Sequence, residues 1–170
     1  RNMVLGYNNS IFITGISEGT GTDYDYLTVR YNAAGYIQWS KRYNGPVNGD
    51  DRAVSLAVDD IGNTYVTGYS MSNTGYDYAT VKYSLNGTFQ WLKREDGSNA
   101  SDDYAGDIAV DDDGDIYVTG KFKKANDNYL MATVKYSSSG SQKWVKKYTV
   151  SGKVSEGRNI FVDGSENILV

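Results

Sequence analysis

The sequence predicts an all-β chain that forms part of a β-propeller, with four antiparallel strands in each blade. Two observations lead to this fold class. The three tryptophans, Trp39, Trp91 and Trp144, lie 52 and 53 residues apart, and each ends a Tyr-x-x-x-Gly-x-x-x-Trp string. The dipeptides Thr-Gly and Val-Asp recur in the same register, beginning at Thr14, Thr67 and Thr119 and at Val58, Val110 and Val162. A period near fifty residues, in units made of strands, is typical of propeller blades.

The second copy shows how one blade is expected to form. Short segments rich in β-branched and aromatic residues predict four strands, at 53–58, 64–69, 78–83 and 88–94. The stretch 70–75 is polar and predicts a loop between the second and third strands. The first strand alternates small and bulky residues, so we expect it to lie nearest the central axis. The fourth strand carries a basic pair in each copy, a feature that protects exposed sheet edges from unwanted pairing.

The repeats divide the chain at about residues 1–51, 52–103, 104–156 and 157–170. This division gives three full blades and half of a fourth in a single propeller segment, 1–170. A closed propeller has about 4–8 blades, so we expect the chain to be part of a larger propeller. Remaining blades of the same chain, or other copies, would close the ring, since open sheet edges promote aggregation.

The composition argues against several classes of function. Lys and Arg number 17 against 21 Asp and Glu, a net charge of −4, whereas a nucleic-acid partner needs a dense basic surface. No apolar run approaches the roughly 18 residues that span a bilayer, so we expect no direct membrane insertion. The chain has no Cys and no His, which removes thiolate chemistry and the usual general base. We therefore expect this segment not to be an enzyme.

Three strings that recur together and in order carry a resemblance to a known family. In the second copy they occupy residues 58–68, 77–83 and 87–91, and they resemble the bacterial β-propeller repeat known as SBBP. The third copy departs from the pattern at Met131, where the other copies have Tyr26 and Tyr78. The resemblance implies a bacterial protein, secreted or attached to the cell surface. Its repeat motif is structural and supplies no catalytic residues.

One acidic turn is a candidate calcium site. Asp111, Asp113 and Asp115 place carboxylates at alternate positions, the spacing with which many calcium loops begin. The alternative is a hairpin turn that uses Asp and Gly for their backbone preferences. Calcium is the one cofactor that the sequence suggests, and a single surface turn would bind it weakly.

The loops at the opposite rim hold Asp, Asn and Tyr residues that suit sugar recognition. Carboxylates and amides bond sugar hydroxyls, and Tyr faces stack on pyranose rings. Rim residues that recur in register are expected to build the fold, so those that vary between copies are the candidates for ligand binding: Tyr24, Tyr76, Lys121, Lys123 and Lys124. The clustered rim carboxylates, Asp127 among them, favour a neutral polyhydroxylated ligand over an anion.

These observations predict a structural or binding module of a bacterial secreted or cell-surface protein. Its partner would be a polysaccharide or surface glycan, bound through the variable rim loops of several blades. The alternative is part of a polysaccharide-acting enzyme whose catalytic carboxylates lie partly outside this segment. A further polar set in the first strands is expected to line a hydrated central channel: Asn2, Ser55, Asp107 and Asn159.

Overall fold

The computed structural model describes residues 2–97, 101–124 and 128–170, which form three four-stranded antiparallel sheets and one two-stranded sheet. The first sheet contains β1 (Asn2–Gly6), β2 (Ser10–Gly19), β3 (Thr22–Tyr31) and β4 (Ile37–Tyr43). The second contains β5 (Asp51–Val58), β6 (Thr64–Ser72), β7 (Gly75–Tyr83) and β8 (Phe89–Glu95). The third contains β9 (Tyr104–Val110), β10 (Ile116–Lys123), β11 (Tyr129–Tyr136) and β12 (Gln142–Tyr148). The two-stranded sheet pairs β13 (Phe161–Val162) with β14 (Ile168–Leu169).

This arrangement confirms the predicted fold class of three full blades followed by half of a fourth. In each four-stranded sheet the strands pair in chain order, as in a propeller blade. The loop predicted at 70–75 is wrong, because β6 and β7 continue into a tight hairpin in which Ser72 pairs with Gly75. Among the described residues, no helix is long and apolar enough to cross a membrane.

Neighbouring sheets pack face to face, with their first strands side by side. β1 contacts β5, and β5 contacts β9, which agrees with the predicted position of the first strand near the axis. The buried Tyr26 hydroxyl donates to the Ala79 carbonyl of the second sheet at 3.1 Å. Tyr78 makes the equivalent bond to the Ala132 carbonyl of the third sheet at 3.4 Å. Burial raises the pKa of both phenols well above their usual value, so both remain donors.

The repeated Gly-x-x-x-Trp string has a packing explanation. The Trp39 ring of the first sheet covers Gly87 of the second, so that a Cβ added at Gly87 would lie 2.8 Å from the indole. Gly140 meets Trp91 in the same way at 3.0 Å. Both glycines have positive φ, 76° and 82°, a conformation that strains other residues. The Trp39 Nε1–H group also donates to the Leu85 carbonyl at 2.9 Å, and that of Trp91 to the Ser138 carbonyl at 3.1 Å, so these two tryptophans join their own sheets to the next.

Basic residues of the fourth strands also have an internal role. Arg42 on β4 donates to the buried carboxylate of Asp25 at 2.7 Å. Arg94 on β8 donates to that of Asp77 at 2.8 Å. Edge protection alone was therefore an incomplete interpretation of these residues, because each guanidinium neutralises a buried carboxylate of its own sheet.

Candidate functional site

Two clefts lie side by side on one rim, where the first strands begin and the second strands end. The first cleft has a volume of about 260 Å³ and lies between the first and second sheets, lined by Ile16, Arg52, Ala53, Val54 and Tyr69. The second has a volume of about 310 Å³, and its lining includes Val54, Tyr69, Tyr104, Lys121, Glu156 and Arg158. Val54 and Tyr69 line both clefts, which therefore share a wall.

Four tyrosines meet beside the second cleft. The Tyr69 ring meets those of Tyr76 and Tyr104 edge-on, with centroids 5.3 and 4.9 Å apart. Tyr104 lies 6.3 Å from Tyr129 in the same cluster. All four side chains are half-buried. Neighbouring rings therefore fix their orientation, while part of each surface faces the solvent.

Charged groups line the same cleft. The Lys121 ammonium lies over the Tyr104 and Tyr129 rings, 5.5 and 4.8 Å from their centroids. It also donates to Glu156 Oε2 at 2.9 Å, while Arg158 Nε donates to Glu156 Oε1 at 2.5 Å. The bond from Lys121, followed by that from Arg158, lowers the pKa of Glu156 below its usual value. In this group, two cations share one carboxylate.

The first cleft carries a guanidinium of its own. Arg52 Nε donates to Asp50 Oδ2 at 2.7 Å, and its guanidinium carbon lies 5.3 Å from the centroid of the Tyr24 ring. The Tyr76 hydroxyl donates to the same Asp50 oxygen at 3.2 Å. Burial, and after it the charge of Asp50, raises the pKa of Tyr76 to about 12. Asp50 therefore connects the guanidinium of the first cleft to the tyrosine cluster of the second.

Three of the five predicted binding residues lie at these clefts. Lys121 lines the second cleft, Tyr76 packs within its tyrosine cluster, and Tyr24 lies against Arg52 of the first. Their role in binding a ligand stays a prediction, now with a defined surface.

The structure places Lys123 and Lys124 apart from the cleft linings, at and just beyond the end of β10. The backbone N–H of Lys123 donates to Asp103 Oδ1 at 2.7 Å, and Lys124 Nζ donates to Thr149 Oγ1. Asp127, which sequence analysis placed among the rim carboxylates, lies outside the described residues.

The described rim carboxylates are mostly buried and compensated. Asp51 and Asp103 are fully buried and accept backbone N–H bonds at 2.5 Å from Gly45 and Gly97 respectively. Burial raises the pKa of both carboxyls, that of Asp103 to about 6. The rim carboxylates Asp25 on β3 and Asp77 on β7 are buried as well, and they pair with Arg42 and Arg94. The charge argument for a neutral ligand is therefore weaker than the sequence suggested.

The proposed calcium ligands lie at the opposite rim, in the β9–β10 turn beside a third cleft of about 420 Å³. Asp111 Oδ1 accepts the Asp115 N–H at 2.7 Å, as a hairpin-closing Asp does. Asp115 Oδ2 is held by Lys135 at 2.8 Å and Lys143 at 2.5 Å, whereas Asp113 is exposed at the tip. Within the described part of the chain, no three acidic groups come together in an arrangement that could hold a metal ion. The geometry supports the alternative of a simple hairpin turn.

The inner polar residues form a hydrogen-bonded chain. Asn2 Nδ2 donates to Ser55 Oγ at 3.0 Å, and Ser55 donates to Asp107 Oδ1 at 2.6 Å. The Ile160 N–H donates to Asp107 Oδ2 at 2.9 Å, while Asn159 is exposed. Asn2, Ser55 and Asp107 therefore link the first strands of successive sheets, and the hydrated channel stays a prediction.

Sequence reasoning missed three residues that define the clefts: Arg52, Tyr69 and Arg158. One signal could have found Tyr69. The residue that follows the constant Thr-Gly dipeptide differs in each copy, Ile16, then Tyr69, then Lys121, and all three line the clefts. A variable position beside an invariant one therefore marked this surface.

Comparisons with known proteins find a match to one family model and a similarity to two solved structures. A search of curated protein sequences finds no match. The chain is similar to a fucose lectin from Kordia zhangzhouensis, solved with methyl-fucoside, at 15% identity and a TM-score of 0.47 over 87% of this chain and 98% of that one. It is also similar to a periplasmic gluconolactonase from Pseudomonas aeruginosa, at 10% identity and a TM-score of 0.41 over 95% of this chain and 63% of that one. Residues 90–121 match the family model of the beta-propeller repeat SBBP, which confirms the predicted resemblance in that part of the chain.

Proposed function

We propose that this chain is a glycan-binding module of a bacterial protein that is secreted or attached to the cell surface. The observation that carries the proposal is the pair of adjoining clefts, which share Tyr69 and combine aromatic surface with charged groups. The location outside the cell rests on the SBBP-type repeat alone.

The chemistry of the clefts suits a sugar ring. A pyranose presents a face of C–H groups that packs on an aromatic ring, and a rim of hydroxyls that need donors and acceptors. Tyr69 and Tyr104 supply half-buried ring surface. Lys121 and Arg158 supply donors, and the oxygens of Glu156 supply acceptors, within the same cleft.

Glu156, the one carboxylate among the described residues that line the two clefts, favours binding over the alternative of a polysaccharide-acting enzyme. A glycosidase needs a carboxyl group with a raised pKa as its general acid. Glu156 has its pKa lowered instead, because Lys121 and Arg158 hold both of its oxygens. Asp50, beside the first cleft, accepts bonds from Arg52 and the Tyr76 hydroxyl on Oδ2.

Two clefts that share a wall suit a polymer better than a single sugar. Each cleft is small and open, so one sugar residue would bind weakly, whereas linked residues that enter both clefts gain from effective concentration. Further blades, from the same chain or from other copies, would extend the row and close the ring. We therefore expect a repeating polysaccharide to be the preferred partner.

A glycan array tests the proposal, with Tyr69→Ala, Tyr69→Phe and Tyr36→Ala as variants. Tyr69→Ala should lose binding because it removes the wall of both clefts, and Tyr69→Phe should keep most of it because the ring remains. Tyr36 is 71% exposed and is absent from the lining of either cleft, so Tyr36→Ala should bind like wild type. Circular dichroism melting shows that each variant is folded. An array without signal, or unchanged binding by folded Tyr69→Ala, would contradict the proposal.

A further inference from the structure

Two arginines at the clefts keep the ends of their side chains available for a ligand. Arg52 and Arg158 each bond through Nε to an acidic residue two positions earlier, Asp50 at 2.7 Å and Glu156 at 2.5 Å. In the part of the chain that the structure describes, the two terminal nitrogens of these arginines make no hydrogen bond to protein. The Arg158 side chain is 82% exposed and that of Arg52 is 38% exposed. Each cleft therefore presents one guanidinium that a neighbouring carboxylate holds through Nε, while its two terminal nitrogens can still donate to a ligand.

The arginines of the fourth strands are different. Arg94 Nη1 donates to Tyr43 and to the Ser70 hydroxyl, and Arg94 Nη2 donates to the Ser70 carbonyl and to Asp77. The terminal nitrogens of Arg42 are engaged in the same way. The chain thus contains arginines whose terminal nitrogens are used by the fold, and two cleft arginines whose terminal nitrogens are not.

We infer that the two clefts select a glycan that carries carboxylates, a polyuronate, and this inference rests on the proposed function. The planar fork of a guanidinium matches a carboxylate through two parallel hydrogen bonds. Tyr69 and the tyrosine cluster would take the ring of the sugar, while Arg52 and Arg158 would each take the acid group of a residue in the polymer.

The local charge agrees with this ligand, although the chain as a whole has a net charge of −4. In the second cleft, Lys121 and Arg158 outnumber Glu156, and in the first, Arg52 balances Asp50. A net positive charge is therefore confined to the second cleft, while the first offers the free end of a paired guanidinium. Binding should weaken as sodium chloride is added, because exposed charges are screened within about 10 Å at 0.1 M salt.

The test compares polygalacturonate with its methyl ester, a polymer of the same sugar without the charge, in titration calorimetry of the protein. Polygalacturonate should bind at least tenfold more tightly, since a charge-assisted bidentate contact is worth about one decade of affinity. The double variant Arg52→Gln, Arg158→Gln should bind both polymers equally and keep the affinity for the ester. The charge-matched control is Lys146→Gln, Lys153→Gln, because both lysines are exposed and neither lines a cleft; it should keep the preference.

The outcomes separate this inference from the proposed function. Equal binding of the two polymers by wild type would overturn the inference and leave glycan binding in place. Loss of the preference in the lysine control would also overturn it, because net charge would then be the cause. Tighter binding of dextran sulfate than of polygalacturonate would show that sulfate is selected instead of carboxylate. If no polymer binds in calorimetry and the glycan array gives no signal, the proposed function is contradicted, and this inference with it.

Discussion

Replacing Gly87 by Ala should show whether the contact between a tryptophan and the next glycine holds neighbouring blades together. The substitution has two costs. At φ +76° an alanine is in the left-handed region, which costs about 1–2 kcal/mol. Its Cβ would also lie 2.8 Å from the Trp39 ring, and overpacking of this kind costs about 1–3 kcal/mol. We therefore expect Gly87→Ala to lower the free energy of unfolding by about 2–5 kcal/mol.

Gly35 provides a matched control in the same chain. It occupies the same place in the first blade with φ +82°, but a Cβ added there would meet no described atom within 4 Å. Gly35→Ala should therefore cost only the backbone component, about 1–2 kcal/mol. The difference between the two variants, about 1–3 kcal/mol, measures the contact with the indole.

Urea denaturation followed by tryptophan fluorescence measures this difference directly. Gly140→Ala should behave like Gly87→Ala, because its Cβ would lie 3.0 Å from the Trp91 ring. Equal destabilisation by Gly35→Ala and Gly87→Ala would refute the reasoning, since backbone strain alone would then explain why glycine recurs at this position.

Two other predictions concern titration and calcium. The Asp103 carboxyl should titrate near pH 6, because burial raises its pKa from 3.8 to about 6 in the folded chain. Since the folded pKa exceeds the unfolded one, its contribution to stability is complete below about pH 4 and is lost as the pH rises through about 6. Carboxyl ¹³C NMR measures this midpoint, and a value near 4 would contradict the prediction, because the N–H bonds from Gly97 and Lys123 would then fully offset burial. Millimolar calcium should give no heat in titration calorimetry, because Lys135 and Lys143 already hold Asp115; heat that disappears in Asp113→Ala would restore the calcium loop.

The fold could be predicted because the contacts between neighbouring sheets join residues that lie one sequence repeat apart. Tyr26 bonds to the backbone 53 residues later, and Ser55 bonds to Asp107, 52 residues later. A residue that contacts the next copy must itself recur, so the repeat strings record the packing between blades. The β6–β7 hairpin was missed because its polar residues resemble a loop in composition, although their backbones pair.

The clefts were harder to predict because they combine different positions from several copies. Alignment of the repeats compares one position at a time, whereas the second cleft joins Tyr69 of the second copy, Lys121 of the third and Arg158 of the fourth. Lys121 was found because its position differs in every copy, whereas Tyr76 was found although tyrosine recurs at its position, at Tyr24 and Tyr129. Arg52 and Arg158 occupy non-equivalent places in their copies, so no column of the alignment presents them together.

The way in which the blades are joined explains how such variation is tolerated. The tyrosine and tryptophan donors bond to main-chain carbonyls, those of Ala79, Leu85 and Ser138. Since every residue has a carbonyl, the side chain at an acceptor position is free to change without loss of the bond.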